Sequence, residues 1–210
     1  MWHYRRLFGP SLAAALISLP AVVSHAQGQI GAIAGFTSTT FRGVNDINNR
    51  TGVIGGLSIV LPSGGAFTWQ PELLLVSKGA KGTNSTPQGL KLNYLEVPVL
   101  LRLNLGSGSE ITPHLYAGPY FGLQVDCKVQ GISGKCDDVP GVSTHTVDVG
   151  GTFGGGVSLD LSGVVFTGGL RYSFGVSKVA DFDVASVKES AKNGGFALYT
   201  GVALRLGSRK

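Results

Sequence analysis

The chain has 210 residues, of which 33 are glycine, two are cysteine and only 14% are charged. Its formal net charge of +5 falls to about +3 without the two N-terminal arginines, which is too small and too scattered to argue for nucleic-acid binding. Mean hydropathy is +0.23, yet no apolar run after the N-terminal segment approaches the roughly 20 residues that a transmembrane helix needs.

The N-terminal segment has the features of an export signal. Arg5 and Arg6 form a positive region, and the apolar stretch Leu7–Val23 follows. Ser24-His25-Ala26 then places small residues at positions −3 and −1 of a cleavage site. We therefore predict a signal peptide over residues 1–26, followed by one domain of about 180 residues.

Eight stretches of alternating apolar and small or polar residues fill the rest of the chain, and the connections between them differ in length. Three connections are short, at 61–66, 105–110 and 160–163, and four are long, at 42–50, 79–90, 126–146 and 175–195. Tight turns on the periplasmic side and longer loops outside are typical of transmembrane β-barrels.

The alternation has a period of two, which is the period of a β-strand. In the last stretch, Phe196, Leu198 and Val202 fall on one face, and Tyr199 and Arg205 fall on the other. The first two stretches are rich in glycine and their facing is not determined by the pattern. The sequence predicts an all-β fold over residues 27–210, an eight-stranded antiparallel up-and-down transmembrane barrel with apolar side chains toward lipid. A soluble, lipocalin-like barrel would show the reverse polarity.

Charged residues on the inward positions predict a polar lumen. An eight-stranded barrel is filled by its side chains, and charges removed from water need partners. Inward glycines such as Gly150, Gly154 and Gly169 leave room for long side chains. The predicted interior charge network consists of Glu72, Lys78, Glu96, Arg102, Arg171 and Arg205. Two of these, Glu72 and Glu96, also allow a carboxylate pair for acid–base chemistry, but the nearby cations favour structural ion pairs.

Several motifs, in order along the chain, resemble one known family. They are Trp69–Leu74 (WQPELL), Ser77–Lys81 (SKGAK), Leu92–Leu100 (LNYLEVPVL), Leu115–Gly122 (LYAGPYFG) and Leu170–Gly175 (LRYSFG). Together they are similar to the core of the PorT-like outer-membrane β-barrel family. The resemblance implies an eight-stranded barrel in the outer membrane of a Gram-negative bacterium, inserted by the outer-membrane assembly machinery. The outward series of the last strand ends at Leu206, whereas outer-membrane barrels commonly end on an aromatic residue.

Both cysteines, Cys127 and Cys136, fall in the third long connection, and an oxidising exterior favours a disulfide between them. The alternative is a metal site. Nearby residues that allow it are Asp126, Asp137, Asp138 and His145, but the spacing matches no strong zinc pattern. We predict the disulfide, with no metal or cofactor.

Three other patterns have competing interpretations. The run Gly150–Gly156 lacks the lysine of a phosphate-binding loop and fits a glycine-rich strand. His114 and His145, with nearby serine and aspartate, allow a hydrolase triad, but no nucleophile elbow is present, and we predict no catalytic residues. The stretch Val184–Lys192 is compatible with a short helix.

The expected function is therefore a structural or interaction role through the extracellular loops, without catalysis. A narrow solute channel and an outer-membrane lipid hydrolase remain as alternatives. The expected partners are outer-membrane lipid, lipopolysaccharide and an extracellular ligand of unknown identity, and the barrel is expected to be a monomer.

Overall fold

The structure is a computed structural model that describes residues 28–43, 47–83, 89–106, 110–129, 136, 142–184 and 187–206. The predicted signal peptide lies outside the described residues. In the described part of the chain, no helix is long and apolar enough to cross a membrane.

Ten strands are described, and eight of them close into a barrel. The strands are β1 (Gln29–Arg42), β2 (Asn48–Gly64), β3 (Phe67–Lys81), β4 (Leu90–Asn104), β5 (Ile111–Val129), β6 (Val142–Thr144), β7 (Val147–Leu161), β8 (Val164–Gly175), β9 (Ala180–Val184) and β10 (Val187–Arg205). The order around the barrel is β1-β2-β3-β4-β5-β7-β8-β10, and β10 pairs with β1 to close it. Every pairing is antiparallel, which confirms the predicted fold class.

The two ends of the barrel differ. Gly28, Leu206, the turns 65–66 and 162–163, and the described residues 105–106 and 110 lie at one end. The connections that carry β6 and β9 lie at the other end. Because short turns face the periplasm in outer-membrane barrels, the first end is periplasmic and the second is extracellular.

The outer surface of the barrel is apolar over most of its height. Phe36 is 67% exposed and Leu198 is 64% exposed, although both are large apolar side chains. On the same strands, Ile33 and Tyr199 point inward and are buried. A surface with this much exposed apolar area suits lipid and not water, so the facing that the alternation predicts is confirmed and the lipocalin-like polarity is not found.

Toward the extracellular end, the polarity of the wall reverses. On β1, the outward positions change from Phe36 to Ser38 and Arg42, while inward Phe41 is buried. On β4, outward Lys91 accompanies inward Leu92. The inward apolar residues form a cluster of Phe41, Ala80, Leu90, Leu92, Tyr94, Cys127, Val129, Cys136, Val179, Ala180 and Ala191, called here the outer apolar cluster. The barrel therefore continues beyond the membrane with the ordinary polarity of a soluble protein.

The segment that was compatible with a short helix is instead part of a β-hairpin. β10 begins at Val187 and its first residues pair with β9, from Val187↔Val184 to Ala191↔Ala180. β6 adds to the other edge of β9. The helix expectation over Val184–Lys192 is wrong because pairing with β9 satisfies the backbone, and such tertiary pairing overrides a weak local propensity.

Candidate functional site

The middle of the lumen is occupied by a buried ion pair. The guanidinium of Arg171, on β8, donates to both carboxylate oxygens of Glu72, on β3, at 2.8 and 3.0 Å. The rings of Tyr116 and Tyr199 lie on the same guanidinium, with centroids 5.6 and 5.0 Å from Cζ. Bidentate geometry and aromatic contact are what a buried arginine needs, because its charge is far from water.

Inward apolar side chains complete this level of the barrel. They form a second cluster of Ile33, Ile54, Leu74, Val76, Leu100, Tyr116, Ala197 and Tyr199. Leu74 and Leu100 have no exposed surface. The lumen at this level is therefore closed by packed side chains.

Arg102, on β4, lies on the periplasmic side of this pair and joins it indirectly. Its guanidinium donates to Ser158 Oγ at 2.9 Å and to Gln70 Oε1 at 3.3 Å. The amide of Gln70 then donates to Glu72 Oε1 at 2.8 Å. Arg102 thus has neutral oxygens as direct partners, and Gln70 links it to the carboxylate.

A second charged cluster lies between the central pair and the outer apolar cluster. The ammonium of Lys78 is 2.5 Å from Glu96 Oε1 and 3.1 Å from Asp148 Oδ2. Tyr120 and Asn193 donate to the same Asp148 oxygen at 3.1 and 2.8 Å. One cation therefore holds two buried carboxylates, and neutral donors complete the coordination of one of them.

The predicted network is thus divided into separate units. Glu72 with Arg171, and Lys78 with Glu96, are in contact, whereas Arg205 lies at the periplasmic end of β10 and pairs with Asp160. The prediction that Arg205 belongs to one common network is wrong. Arg205 lies on β10 eight residues beyond Ala197, which is the register partner of Arg171, and is therefore too far along the barrel to reach the central pair.

Sequence reasoning missed two members of the second charged cluster, Asp148 and Asn193. Asp148 has no exposed surface and accepts hydrogen bonds from four side chains, and Asn193 is buried beside it. The inward position of Asp148 was visible in the alternation of β7. Its contact with Lys78 was not, because β3 and β7 are not neighbours and their relative height depends on the stagger of the closed barrel.

A small cavity separates the two charged clusters. Its volume is about 20 Å³, and Lys78, Glu96, Arg171 and the hydroxyls of Thr37 and Thr152 line it. A cavity of this size has room for about one water molecule. The space between the clusters is therefore suited to a bound water and is far too small for a solute.

Glycines opposite the inward tyrosines explain how these rings fit. A Cβ atom at Gly154 would lie 2.6 Å from the hydroxyl of Tyr116, and one at Gly169 would lie 2.8 Å from the hydroxyl of Tyr199. Glycines on β7 and β8 therefore leave room for large inward side chains, which supports the strand interpretation of Gly150–Gly156.

Cys127 and Cys136 form a disulfide, with their Cα atoms 5.6 Å apart. Both are buried in the outer apolar cluster. Of the alternative metal ligands, Asp137 and Asp138 lie outside the described residues, and Asp126 accepts a hydrogen bond from Asn93 at 2.9 Å. The described residues contain no group of three or more His, Cys, Asp or Glu side chains arranged for a metal.

The two histidines considered for a hydrolase triad lie at opposite ends of the barrel. His114 points into the periplasmic half, with Nδ1 3.5 Å from the carbonyl of Thr112, and is buried. His145 is exposed at the extracellular end, where its backbone N–H donates to Val179. The structure does not bring them together.

Comparison with known proteins agrees with this architecture. Residues 25–181 match the family model described as an outer membrane protein beta-barrel domain. No curated protein matches the sequence.

Solved structures with the same fold are distant in sequence. Neisserial surface protein A is 15% identical, with a TM-score of 0.56 over 85% of this chain and 97% of that one. The outer membrane protein OprG from Pseudomonas aeruginosa is 12% identical, with a TM-score of 0.52 over 87% of this chain and 97% of that one. These likenesses concern the fold alone, whereas the family match covers most of the chain. The chain belongs to the outer membrane protein beta-barrel domain family, and it is a small eight-stranded barrel of the Gram-negative outer membrane.

Proposed function

We propose that this protein is a non-conducting barrel that acts in the outer membrane through its extracellular part. The observation that carries this proposal is the closed lumen. The Arg171–Glu72 level with its packed apolar side chains, the second charged cluster and the outer apolar cluster follow one another along the axis. A narrow solute channel would need a continuous water path, whereas the cavity that lies between the two charged clusters has room for about one water molecule.

The extracellular end has the properties of a rigid base for loops. The outer apolar cluster packs strands β1, β3, β4, β5 and β10 together beyond the lipid, and the disulfide lies within that cluster. Binding sites are often carried by loops on such rigid scaffolds. The long connections at this end are therefore the part through which the protein would contact an extracellular ligand.

Planar-bilayer recording tests the proposal against the channel alternative. We expect the wild-type barrel to give no stepwise conductance in 1 M salt, a condition chosen to enlarge any current. The variant Y116A/Y199A, which removes the two rings from the central level, should give a measurable leak and shows that the assay detects an open lumen. Reproducible steps from the wild type, at the size seen for the widened variant, would contradict a non-conducting barrel.

A lipid hydrolase is the second alternative, and the placement of the histidines argues against it. His114 is buried beside a backbone carbonyl, and His145 lies at the other end of the barrel. Incubation with labelled phospholipid and labelled lipopolysaccharide tests this directly. Release of free fatty acid by wild type but not by H114A would contradict the proposal that the protein has no catalytic role.

Export and assembly complete the proposal. Cleavage after Ala26 would leave a mature chain that begins at Gln27, immediately before the first described residue. The intact mass of protein recovered from outer membranes tests this position. The PorT-like resemblance, insertion by the assembly machinery and a monomeric state belong to the same proposal, and size-exclusion chromatography with light scattering tests the last of these.

A further inference from the structure

We propose that the outward face around Arg42, Lys192 and Gly194 binds a phosphate of a phosphorylated glycolipid in the outer leaflet, the lipid A type of headgroup. Arg42 ends β1, and Lys192 and Gly194 lie on the neighbouring strand β10. The site is on the outward surface of the barrel, where the apolar belt ends, and it is separate from the lumen.

The site lies at the outer boundary of the apolar surface. Along the β1–β10 pair, the outward register partners are Phe36↔Leu198, Ser38↔Phe196, Thr40↔Gly194 and Arg42↔Lys192. The first of these pairs is strongly exposed and apolar, and the last consists of two cations. Lipid phosphates lie at the same boundary, immediately above the acyl chains, so the cations are at the height of the headgroups.

The two cations are direct register partners, which is unfavourable unless an anion lies near both. Like charges opposite each other on antiparallel strands destabilise the pairing. In the described part of the chain, neither Arg42 nor Lys192 forms a salt bridge with a carboxylate. A phosphate bound between them would neutralise this repulsion and accept charge-assisted hydrogen bonds from both.

The stem of Arg42 lies directly against Gly194. A Cβ atom at Gly194 would lie 2.7 Å from Cδ and 3.2 Å from Cγ of Arg42, so the arginine stem occupies the space above this glycine. The hydroxyl of Tyr172, on β8, lies 3.6 Å from the same Cβ position. An arginine laid on a glycine next to a tyrosine hydroxyl presents two kinds of donor to one anion.

Aromatic rings continue the site toward the membrane interior. The ring centroid of Tyr172 is 4.7 Å from that of Phe196 and 6.4 Å from that of Phe174. All three residues have outward positions, and Phe196 is 53% exposed. A lipid whose phosphate contacts Arg42 and Lys192 would place its first acyl carbons on these rings.

A third cation is brought near by the segment that follows β8. Val179 donates its backbone N–H to the carbonyl of Ala191 at 2.8 Å, so exposed Lys178 and half-buried Lys192 belong to two segments in direct contact. Three basic residues on adjacent segments suit a headgroup with more than one phosphate better than a singly charged phospholipid.

The opposite side of the barrel offers a matched control. Lys91 and Lys128 are also outward register partners, on β4 and β5. A carboxylate lies next to them, because Asp126 precedes Lys128 by two residues and is hydrogen bonded by Asn93. This pair carries the same number of cations, but the neighbouring glycine, Gly79, is not covered by a lysine stem as Gly194 is covered by Arg42.

Native mass spectrometry of the folded full-length mature barrel in dodecylmaltoside micelles, titrated with bisphosphorylated lipid A, tests the site. We expect R42Q/K192Q to weaken binding about 25-fold, because each cation near an anionic headgroup contributes roughly a fivefold factor. K91Q/K128Q should change it less than about threefold. G194A keeps every charge but displaces Arg42, and should weaken binding about fivefold. Heat-dependent gel mobility verifies that each variant is folded.

Three results would overturn the site. Equal weakening by R42Q/K192Q and K91Q/K128Q would mean general attraction between a basic barrel and an anionic lipid. Equal affinity for lipid A without phosphates would mean that the rings alone hold the lipid. Unchanged binding by both R42Q/K192Q and G194A would place the lipid elsewhere. None of these results bears on conductance, so the proposed function and the lipid site can fail separately.

Discussion

The interior of this barrel is filled in two different ways, and the change occurs at the level where the lipid ends. Inside the membrane, buried charges are matched one against another, as in Glu72 with Arg171, and glycines make room for tyrosines. Beyond the membrane, the interior contains the outer apolar cluster and a disulfide. The same strands pass through both regions, so the difference lies in the side chains alone.

The two interiors differ because the outer face of the barrel meets lipid in one region and water in the other. Where the outer face must be apolar for lipid, the polar residues of an alternating strand can only point inward, and they need partners there. Where the outer face meets water, the same alternation places apolar residues inside, as in a soluble protein. A single strand such as β4 therefore carries Glu96 inward in one region and Leu92 inward in the other.

The largest effect is expected when the charge balance of the membrane region is broken. E72Q keeps the shape of the side chain but leaves the buried charge of Arg171 without a counter-ion. We expect a loss of about 3–5 kcal/mol in the free energy of unfolding, measured by urea titration in lipid vesicles with Trp69 fluorescence. The control E72M/R171M removes both charges and should recover most of that loss. If E72Q and wild type unfold at the same urea concentration, the lumen is wetter than the structure indicates.

A smaller effect is expected in the outer region, where apolar packing is disturbed. Leu92 has no exposed surface in the outer apolar cluster, and L92A should cost about 3 kcal/mol through the cavity that it leaves. V97A, on the same strand but facing lipid, should cost less than about 1 kcal/mol because acyl chains fill the space. Both values come from the same urea titration. Equal costs for the two variants would show that the outer cluster is not a packed core.

The smallest effect is expected at the periplasmic end. The side chains of Arg205 and Asp160 are 21% and 22% exposed, so water and salt screen their attraction. D160N should therefore lower the free energy of unfolding by less than about 1 kcal/mol, and less still at high salt. A cost comparable to that of E72Q would mean that this pair belongs to the interior network after all.

Much of the fold could be predicted from the sequence because the period of two relates directly to the facing of each strand. The inward positions of Glu72 and Lys78 and the outward positions of Leu95 and Val97 need only local information. The hairpin of β9 and β10 could not be predicted in this way, since strand pairing between distant segments decides it.

Contacts between side chains across the lumen could not be predicted from local sequence either. The pairing of Lys78 with Asp148, and of Arg205 with Asp160, depends on the stagger between strands that are separated along the chain. Alternation predicts that such side chains face the lumen but not the height at which each one lies. Matching the inward charges by sign therefore predicts one network, whereas the closed barrel contains several separate ion pairs.

The position of the disulfide has a consequence for biogenesis. Cys127 and Cys136 are nine residues apart, and so small a ring can close in an unfolded chain without help from the rest of the barrel. Oxidation in the periplasm would then precede insertion, and the tip that follows β5 would cross the membrane as a preformed loop. The short spacing between the two cysteines would in this way allow thiol oxidation to come before strand insertion.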